Sequence, residues 1–542
     1  MPAANSFLSN PSHRKKLLLA AILILWLVTL FRVFSVLGPD SDHTSYNSDG
    51  AIPIIMANDQ RPITIFDYYY YAAGRWGGWP MITARLINHS TGYRWTPESF
   101  NAVRAVWLFI GILVLALLNK RNALFIVIAG LSLICLDETL RKRLFDSGQV
   151  YAWQITALIL AWYSLRRLLN EDLEDSNGKN LFLKRALWGF LLFWFSLLSI
   201  WSSFASGPFL GFLAALEVAY LRLRTGPAPV RSWRTKRYLW GFALVCAAIL
   251  SEYLMRRNYH RHGRKHFSNS FETALALDVG FLKENFYRQL INVTDFSLWP
   301  LLPLMLLLVL VVAGSFVYFR LTRRKDLLAK LRNLVLDETV VLIAGSFGIA
   351  VLNFVPIVLV DHVRLNDYDN RFLTVTFLFG GLSGLLTLYL AIRAFLTRAN
   401  LAKYGIPALL LAGVLLVLVG FPKRKPNDLY QVEKETALAL SNKLPHAFLI
   451  GGYWATYLFA PLLPKDTLIP LPREGDLERM PWTIEMLRDE KLVLVEYGRS
   501  NSFASDNPPE QLNQYGNRLR LVDPKFYEND PYEFALYVNT TN

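Results

Sequence analysis

The chain has 542 residues, of which 53% are hydrophobic and only 18% charged, whereas soluble domains average about 25% charged residues. Repeated apolar runs approach the roughly 20 residues that cross a bilayer. The composition therefore excludes an ordinary soluble protein and indicates an integral membrane protein. The net charge of +15 does not indicate nucleic-acid binding, because Lys and Arg gather in short loops between the apolar runs, as the positive-inside rule predicts.

The apolar runs predict a polytopic α-helical membrane protein with about eleven transmembrane helices. The first run follows the basic residues 13–16 and is too long for a cleavable signal, so we predict an uncleaved helix that leaves the cytoplasm. Residues 1–421 then form a transmembrane catalytic module whose first extracytoplasmic loop is 38–100. The predicted spans are 17–37, 101–118, 123–136, 149–165, 186–204, 207–221, 238–255, 298–319, 338–360, 372–396 and 405–421.

One basic segment, residues 256–265, conflicts with the positive-inside rule. Its charge alone would place it in the cytoplasm, whereas the order of the spans places it outside. We favour the external position, because an enzyme that acts on a lipid phosphate needs cations on the side where it works.

Residues 422–542 have the composition of a soluble domain, predicted on the extracytoplasmic side. Short strands are predicted at 447–450, 467–469 and 491–496, with helical patterns at 453–462 and 480–489 between them. This alternation predicts a small α/β domain.

The first loop places acids, aromatics and glycines directly after the first span. It begins with Tyr46-Asn47-Ser48-Asp49-Gly50, continues through an apolar segment at 52–56, and then carries the aromatic and glycine-rich stretch 68–79. An acid just past a membrane exit, followed by a segment along the interface, suits an enzyme whose substrate is a lipid with a polar head.

This loop resembles the first extracytoplasmic loop of the GT-C glycosyltransferases of the protein mannosyltransferase and lipid A aminoarabinose transferase type. In that superfamily an Asp, or Asp-Glu, precedes a short helix parallel to the membrane, where this chain has Asp49 and then residues 51–58. Gly50 stands where many members carry the second acid. The turn at 451–454, Gly-Gly-Tyr-Trp, resembles a turn in the C-terminal part of many GT-C-like proteins.

The resemblance implies a GT-C-like fold and an inverting transfer of a sugar from a polyprenyl-phosphate donor. The acceptor would be an extracytoplasmic glycan, lipid or protein, and we expect the protein in the bacterial inner membrane. Asp49 would be the catalytic base that takes the proton of the acceptor hydroxyl. The alternative is a turn or helix-capping residue, since Asn-Ser-Asp-Gly is a favourable turn sequence.

Asp137 and Glu138 are predicted as a second acidic site on the same side of the membrane. They would orient the acceptor or bind a divalent cation such as Mg²⁺ or Mn²⁺, although no cofactor is certain. The alternative is that they pair with Arg141 and Lys142 one turn later on a helix.

External arginines are predicted to bind the donor phosphate, because a guanidinium offers a fixed fork of donors to phosphate oxygens. Attraction to anionic lipid headgroups explains any one of them equally well. The candidates are Arg75, Arg256, Arg257, Arg261, Arg364 and Arg371.

Aromatic residues of the first loop are predicted to line the substrate site, or to anchor the loop among the lipid headgroups. These residues are Tyr70, Tyr71, Trp76 and Trp79. Other functions of a polytopic protein also remain open from the sequence, namely a transporter or flippase, a polymerase or ligase of lipid-linked surface glycans, and a scaffold that binds a partner through its C-terminal domain.

Overall fold

The computed structural model describes the chain in segments that include most of the predicted elements. The described residues are 11–36, 46–70, 77–136, 138–145, 148–170, 178–225, 233–262, 278–296, 337–359, 370–395, 410–419, 427–444, 446–463, 468–476, 478–497 and 507–541.

The described segments are mainly helical, as apolar runs of this length require in lipid, where an α-helix satisfies its own backbone polar groups. We number the helices in chain order. They are α1 Pro11–Val36, α2 Ser48–Asn58, α3 Trp79–Thr91, α4 Pro97–Leu117, α5 Ala123–Leu136, α6 Glu138–Phe145, α7 Tyr151–Asn170, α8 Gly178–Ser202, α9 Ser206–Thr225, α10 Trp233–His262, α11 Val279–Phe296, α12 Glu338–Leu359, α13 Thr374–Phe395, α14 Leu410–Val419, α15 Asp428–Lys443, α16 Tyr453–Thr456 and α17 Trp482–Leu487.

Five helices in the described part of the chain are long and apolar enough to cross a membrane, namely α4, α8, α9, α10 and α12. Three shorter apolar helices, α5, α13 and α14, lie among them. Together with α7, these helices bury their apolar faces in one large hydrophobic core, which includes Trp162 of α7 and Ile349 of α12. The protein is therefore an integral membrane protein.

Contacts between helices identify the two ends of this bundle. Near the end of α8, the indole of Trp201 donates a hydrogen bond of 2.7 Å to the Tyr68 carbonyl in the first loop. Tyr69 of the same loop reaches Glu252 near the end of α10. We call this the loop end of the bundle.

The opposite end joins the turn after α4 to the start of α12. Asn119 and Asn122 each donate a hydrogen bond of 2.9 Å to the Thr339 hydroxyl, and the Tyr389 hydroxyl of α13 donates to Asn122. Both α8 and α10 therefore end at the loop end, whereas α4 ends and α12 begins at the opposite end, as the predicted spans require. The predicted span 298–319 lies outside the described residues, so the total of eleven stays a prediction.

Four helices in the described part of the chain were not expected from the sequence, namely α3, α6, α11 and α15. The helix α6 follows the predicted third span, and α11 lies in the segment 256–297 that was predicted as an external loop. An Asn285 side chain on α11 donates to the Val358 carbonyl at the end of α12, which places α11 at the loop end. Its polar face, with Glu284 and Arg288 exposed, is why no span was predicted there.

The C-terminal domain contains a six-stranded sheet of strand order β2-β1-β3-β6-β5-β4. The first three strands are parallel and the last three are antiparallel. The strands are β1 Ala447–Gly451, β2 Leu468–Pro472, β3 Leu492–Glu496, β4 Gln511–Gln514, β5 Asn517–Asn529 and β6 Tyr532–Asn539. The parallel strands were predicted and the antiparallel half was not.

The parallel strands are apolar throughout because both faces of the sheet are covered. In β1, Phe448 and Ile450 pack into a core within the domain, while Ala447 and Leu449 face a second core. That second core also contains Ile52 and Ile54 of α2. The first loop and the C-terminal domain therefore fold against each other as one packed unit.

Candidate active site

The local structure of α2 sets the position of Asp49. Asn47 caps the helix through a side-chain hydrogen bond of 2.8 Å from the Gly50 amide, and Asp49 lies in the first turn. A carboxylate there interacts favourably with the positive end of the helix dipole.

A proline four residues later leaves the backbone of Asp49 open to another partner. Pro53 has no amide hydrogen, so it cannot bond to the carbonyl of Asp49 as a helix residue normally would. The Tyr70 hydroxyl donates to this carbonyl instead, at 2.7 Å. Tyr70 itself is buried, with 2% of its surface exposed, so it holds the start of α2 in place.

The carboxylate of Asp49 contacts two residues of the C-terminal domain. The Tyr453 hydroxyl donates a hydrogen bond of 2.5 Å to Oδ1, and an Arg479 nitrogen lies 3.9 Å from the same oxygen. The second oxygen, Oδ2, has no hydrogen-bond partner among the residues that the structure describes. Because 27% of the side chain is exposed, one oxygen is held and the other is open.

The Tyr453 hydroxyl is polarised from its other side by Arg479. Two guanidinium nitrogens each donate to this oxygen at 3.3 Å, and the guanidinium also lies over the rings of Tyr70 and Tyr453, 5.5 Å from each centroid. Arg479 is buried, with 9% of its side chain exposed. The chain of contacts from Arg479 through Tyr453 to Asp49 is a charge-assisted network.

Burial and neighbouring charges keep Tyr453 protonated and Arg479 charged, which are the protonation states in which both can interact with the Asp49 carboxylate. Burial raises the pKa of Tyr453 above its ordinary value, so the hydroxyl stays protonated and donates. Burial alone would lower the pKa of Arg479, but the adjacent Tyr453, Tyr70 and Asp49 raise it, so the guanidinium stays charged.

Tyr453 and Arg479 come from one edge of the sheet. Tyr453 follows the carboxyl end of β1, and Arg479 lies in the segment after β2. In sheets with parallel strands this edge is the usual place for functional residues. Gly451, two residues before Tyr453, is closely packed, since a Cβ there would lie 3.1 Å from Glu496 and Thr456 atoms.

Gly148 brings a third segment against Asp49. A Cβ at Gly148 would lie 2.9 Å from the carbonyl carbon of Asp49 and 3.0 Å from its Cβ. Only glycine permits this approach, so the loop between α6 and α7 forms part of the wall around the carboxylate.

The predicted cation Arg256 lies on α10 at the loop end. Its guanidinium is 2.7 Å from the fully buried Glu252 and lies over the ring of Tyr69, 5.1 Å from the centroid. The Tyr69 hydroxyl also donates to Glu252, at 3.1 Å. Tyr69 and Tyr70 are consecutive residues, so one dipeptide contacts both the Arg256 pair and Asp49.

A buried ion-pair cluster supports the segment that carries these tyrosines. Arg85 of α3 lies 3.0 Å from Asp67 and 3.5 Å from Asp59, and it also donates to the Arg61 carbonyl. Arg61 pairs with Asp59 at 2.5 Å and stacks on the Trp482 ring at 3.2 Å. Two acids and two arginines balance, which makes burial of Arg85 and Asp67 tolerable.

A cleft of about 250 Å³ opens between the first loop and the C-terminal domain. The first loop contributes a mostly polar wall, which includes Asp59, Arg61 and Arg94, whereas the domain contributes a mostly apolar wall, which includes Ile469 and Trp482. Met480, the neighbour of Arg479, also lines it. The cleft therefore lies beside the Asp49 network.

The structure brings together only some of the residues predicted for the site. Asp49, Tyr70 and Arg256 lie at the loop end, as described above. Trp79 is buried against the bundle, where its indole donates to the Ser202 hydroxyl at 2.7 Å. Arg257 and Arg261 are exposed on α10.

The remaining predicted residues fall outside the described part of the structure. Arg75, Tyr71, Trp76, Asp137 and Arg364 are among the residues that are not described. Glu138 begins α6, and Arg371 lies in the short turn Asn370–Leu373, but their side chains are outside the description. Within the described residues, no three His, Cys, Asp or Glu side chains are grouped to hold a metal ion.

No protein-family model and no curated protein sequence matches this chain. Several solved structures share its chain path. ArnT from Cupriavidus metallidurans bound to undecaprenyl phosphate is 12% identical, with a TM-score of 0.49 over 98% of this chain and 99% of that one. The apo oligosaccharyltransferase of Archaeoglobus fulgidus is 13% identical, with a TM-score of 0.40 over 88% of this chain and 69% of that one.

Proposed function

We propose that this protein is an inverting membrane glycosyltransferase that moves a sugar from a polyprenyl-phosphate donor to an acceptor hydroxyl. The observation that carries the proposal is the Asp49 carboxylate, with one oxygen held by the C-terminal domain and the other open at the loop end. A carboxylate so placed accepts a proton from a hydroxyl that approaches Oδ2.

The chemical step needs a base and a cation on the same side of the bundle. As Oδ2 of Asp49 takes the proton, the acceptor oxygen bonds to the anomeric carbon of the sugar from the face opposite the phosphate. The bond between that carbon and the phosphate oxygen breaks, and its electron pair leaves with the polyprenyl phosphate. Arg256 stabilises the charge that builds on the phosphate. The protonated Asp49 then releases its proton to solvent.

Arg256 is suited to this role by its position at the loop end, although it already pairs with Glu252. Its charge is shared with Glu252, which fixes the guanidinium, and 21% of its side chain is exposed. A phosphate that arrives from the lipid side adds a second anion to this arginine. The other predicted arginines, and Asp137 with Glu138 as a site for the acceptor or for Mg²⁺ or Mn²⁺, stay part of the proposal.

The cleft beside Arg479 is the proposed location of the non-reacting part of the acceptor. Its polar wall carries Asp59, Arg61 and Arg94 and so has a net positive charge, while its other wall is apolar. A glycan, lipid or protein acceptor with both polar and apolar groups fits such a surface.

We place the site on the extracytoplasmic face of the bacterial inner membrane. The opposite end of the bundle carries Lys120, Arg222, Arg224 and Arg237 near the ends of helices, which is the distribution expected of the cytoplasmic side.

Replacement of Asp49 by Asn tests this function against the capping alternative. The assay uses a panel of undecaprenyl-phosphate sugars labelled in the sugar, purified protein and a membrane extract that supplies acceptors. We expect Asp49→Asn to lower transfer by about a hundredfold or more, the usual effect of removing a general base. The anomeric configuration of the product, read by NMR, checks inversion.

The chain supplies a matched control in Asp428. This residue also lies in the first turn of a helix that begins with an Asn cap, since Asn427 accepts a hydrogen bond from the Tyr430 amide. Asp428→Asn should keep transfer within about twofold of wild type, because it loses only a helix-dipole interaction of roughly 0.3–1 kcal/mol. If both variants behave alike, Asp49 is a helix-capping residue.

Movement of the labelled lipid across the membrane without transfer of the sugar would favour a flippase, and transfer only from diphosphate-linked oligosaccharides would favour a polymerase or ligase.

A further inference from the structure

We infer that the C-terminal domain completes the catalytic centre, with Tyr453 and Arg479 as positioning residues for Asp49. This inference rests on the proposed function and adds to it the residues that make the base productive.

The first step of the argument is the rotational freedom of the carboxylate. The terminal torsion of an Asp side chain is broad and has no strongly preferred value, so Oδ1 and Oδ2 of a free Asp49 would exchange places. The Tyr453 hydrogen bond at 2.5 Å holds Oδ1. Because the Tyr70 hydroxyl fixes the Asp49 carbonyl as well, the side chain has one defined orientation, in which Oδ1 contacts the domain and Oδ2 is the oxygen that would meet the acceptor hydroxyl.

The second step is that Tyr453 and Arg479, which together form a clamp on Asp49, are themselves held in place. The Tyr453 ring is buried and packs edge-on against Tyr457, and Arg479 donates to the Tyr453 hydroxyl with two nitrogens. The Arg479 amide in turn donates to the Tyr457 hydroxyl at 3.0 Å. Each clamp residue is therefore fixed by groups other than Asp49.

The third step is that the contact crosses from one part of the chain to another. Asp49 belongs to the first loop, whereas Tyr453 and Arg479 are about 400 residues later in the sequence. A contact made only for packing would bury the whole carboxylate, but Asp49 keeps 27% of its side chain exposed. The base is oriented only while the C-terminal domain is docked on α2, so docking of the domain controls the reaction.

The kinetic test compares Tyr453→Phe with Tyr532→Phe, because the fully buried Tyr532 hydroxyl also donates to a carboxylate, that of Glu433, at 2.7 Å. Both variants lose one buried hydroxyl and keep the ring, but only Tyr453 contacts Asp49. Hydrogen bonds to a charged group contribute enough that Tyr453→Phe should lower kcat by roughly tenfold to a hundredfold. The KM for the undecaprenyl-phosphate sugar should stay within about twofold, because the hydroxyl does not touch the donor. Arg479→Lys should retain more activity than Arg479→Gln, since it keeps the charge.

Tyr532→Phe should keep kcat within about threefold of wild type, because its hydroxyl contacts Glu433 and not the Asp49 network. Equal losses in the two Phe variants would mean that both tyrosines act only through packing, and the inference would be overturned. If transfer depends on Asp49 but Tyr453→Phe is fully active, the inference is overturned and the proposed function stands.

A chemical test does not depend on enzyme turnover. A carbodiimide with a labelled amine modifies accessible carboxyl groups, and mass spectrometry of the peptide that contains Asp49 measures the rate. Release of Oδ1 should make Asp49 react roughly tenfold faster in Tyr453→Phe than in wild type or Tyr532→Phe. Equal rates in all three proteins would show that Tyr453 does not hold the carboxylate, whether or not the protein transfers sugars.

Discussion

Replacement of Arg85 by Met tests whether the buried ion-pair cluster fixes the segment that carries Tyr69 and Tyr70. Arg85 is 1% exposed and Asp67 is 2% exposed. The variant keeps an unbranched side chain but removes the charge that faces both Asp67 and Asp59. Removing one partner from a buried pair leaves an uncompensated charge and typically costs 3–5 kcal/mol.

The remaining contacts of Asp67 indicate that the destabilisation by Arg85→Met lies in this range of about 3–5 kcal/mol rather than below it. Arg61 is 3.6 Å from Asp67 and one-third exposed, so it compensates only weakly. The Thr64 amide and hydroxyl donate to the other Asp67 oxygen, at 2.7 and 3.0 Å, and they hold the carboxylate where it is. Arg85→Met also loses the donor to the Arg61 carbonyl.

Thermal unfolding in detergent measures the effect. For a packed unit of 150–250 residues, 1 kcal/mol corresponds to about 2–4 °C, so we expect the unfolding temperature of the outer part to fall by roughly 6–20 °C. The double variant Arg85→Met with Asp67→Asn should recover part of this loss, because Asn is uncharged and still accepts from Thr64.

Lys434→Met serves as the control for the loss of an ion pair. Lys434 lies 3.8 Å from Glu98, and both side chains are well exposed, so this pair should contribute less than about 1 kcal/mol. If Arg85→Met unfolds at the same temperature as Lys434→Met, the cluster does not stabilise the first loop and the reasoning is wrong.

Two further predictions concern Arg256 and Glu478. Arg256→Gln should weaken binding of undecaprenyl phosphate by about tenfold, as loss of a charge-assisted contact implies. Arg288→Gln, on the exposed face of α11 at the same end of the bundle, should change it less than about twofold; equal effects would mean general attraction to lipid. Burial raises the pKa of Glu478 from 4.5 to about 7. The folded state then binds this proton more tightly, so stability is greatest below about pH 4.5 and falls by up to about 3 kcal/mol as the pH rises through 7. Unfolding of Glu478→Gln at pH 5 and pH 8 should show that this dependence is lost, and an unchanged pH dependence would assign it to another group.

The helices of the bundle were predictable because each is a long apolar run. Spans such as 338–360 agree with Glu338–Leu359 to within a residue. The amphipathic helix α11 escaped prediction because its hydropathy is that of a surface helix. Strands β4 to β6 also escaped, since exposed residues such as Arg518 and Arg520 alternate with apolar ones on an edge hairpin and give a weak signal.

The residues of the site that lie close together in the sequence were predictable, whereas the contacts between residues far apart in the sequence were not. Asp49 and the helix after it follow from the sequence, and so does the placement of Arg256 beside the first loop. Nothing in the sequence around Arg479 links it to Asp49, because that contact depends on how the C-terminal domain packs on α2. The Gly-Gly-Tyr-Trp turn was a usable signal for Tyr453, because this tyrosine is part of the turn at 451–454 that the sequence singles out.

The shared core of the first loop and the C-terminal domain has a consequence for biogenesis. Ile52 and Ile54 are synthesised long before Tyr457 and Phe459, which belong to the same core. The apolar face of α2 must therefore be shielded by lipid headgroups or by a chaperone until the intervening spans have been synthesised. The first loop and the C-terminal domain can complete their shared core only after that point.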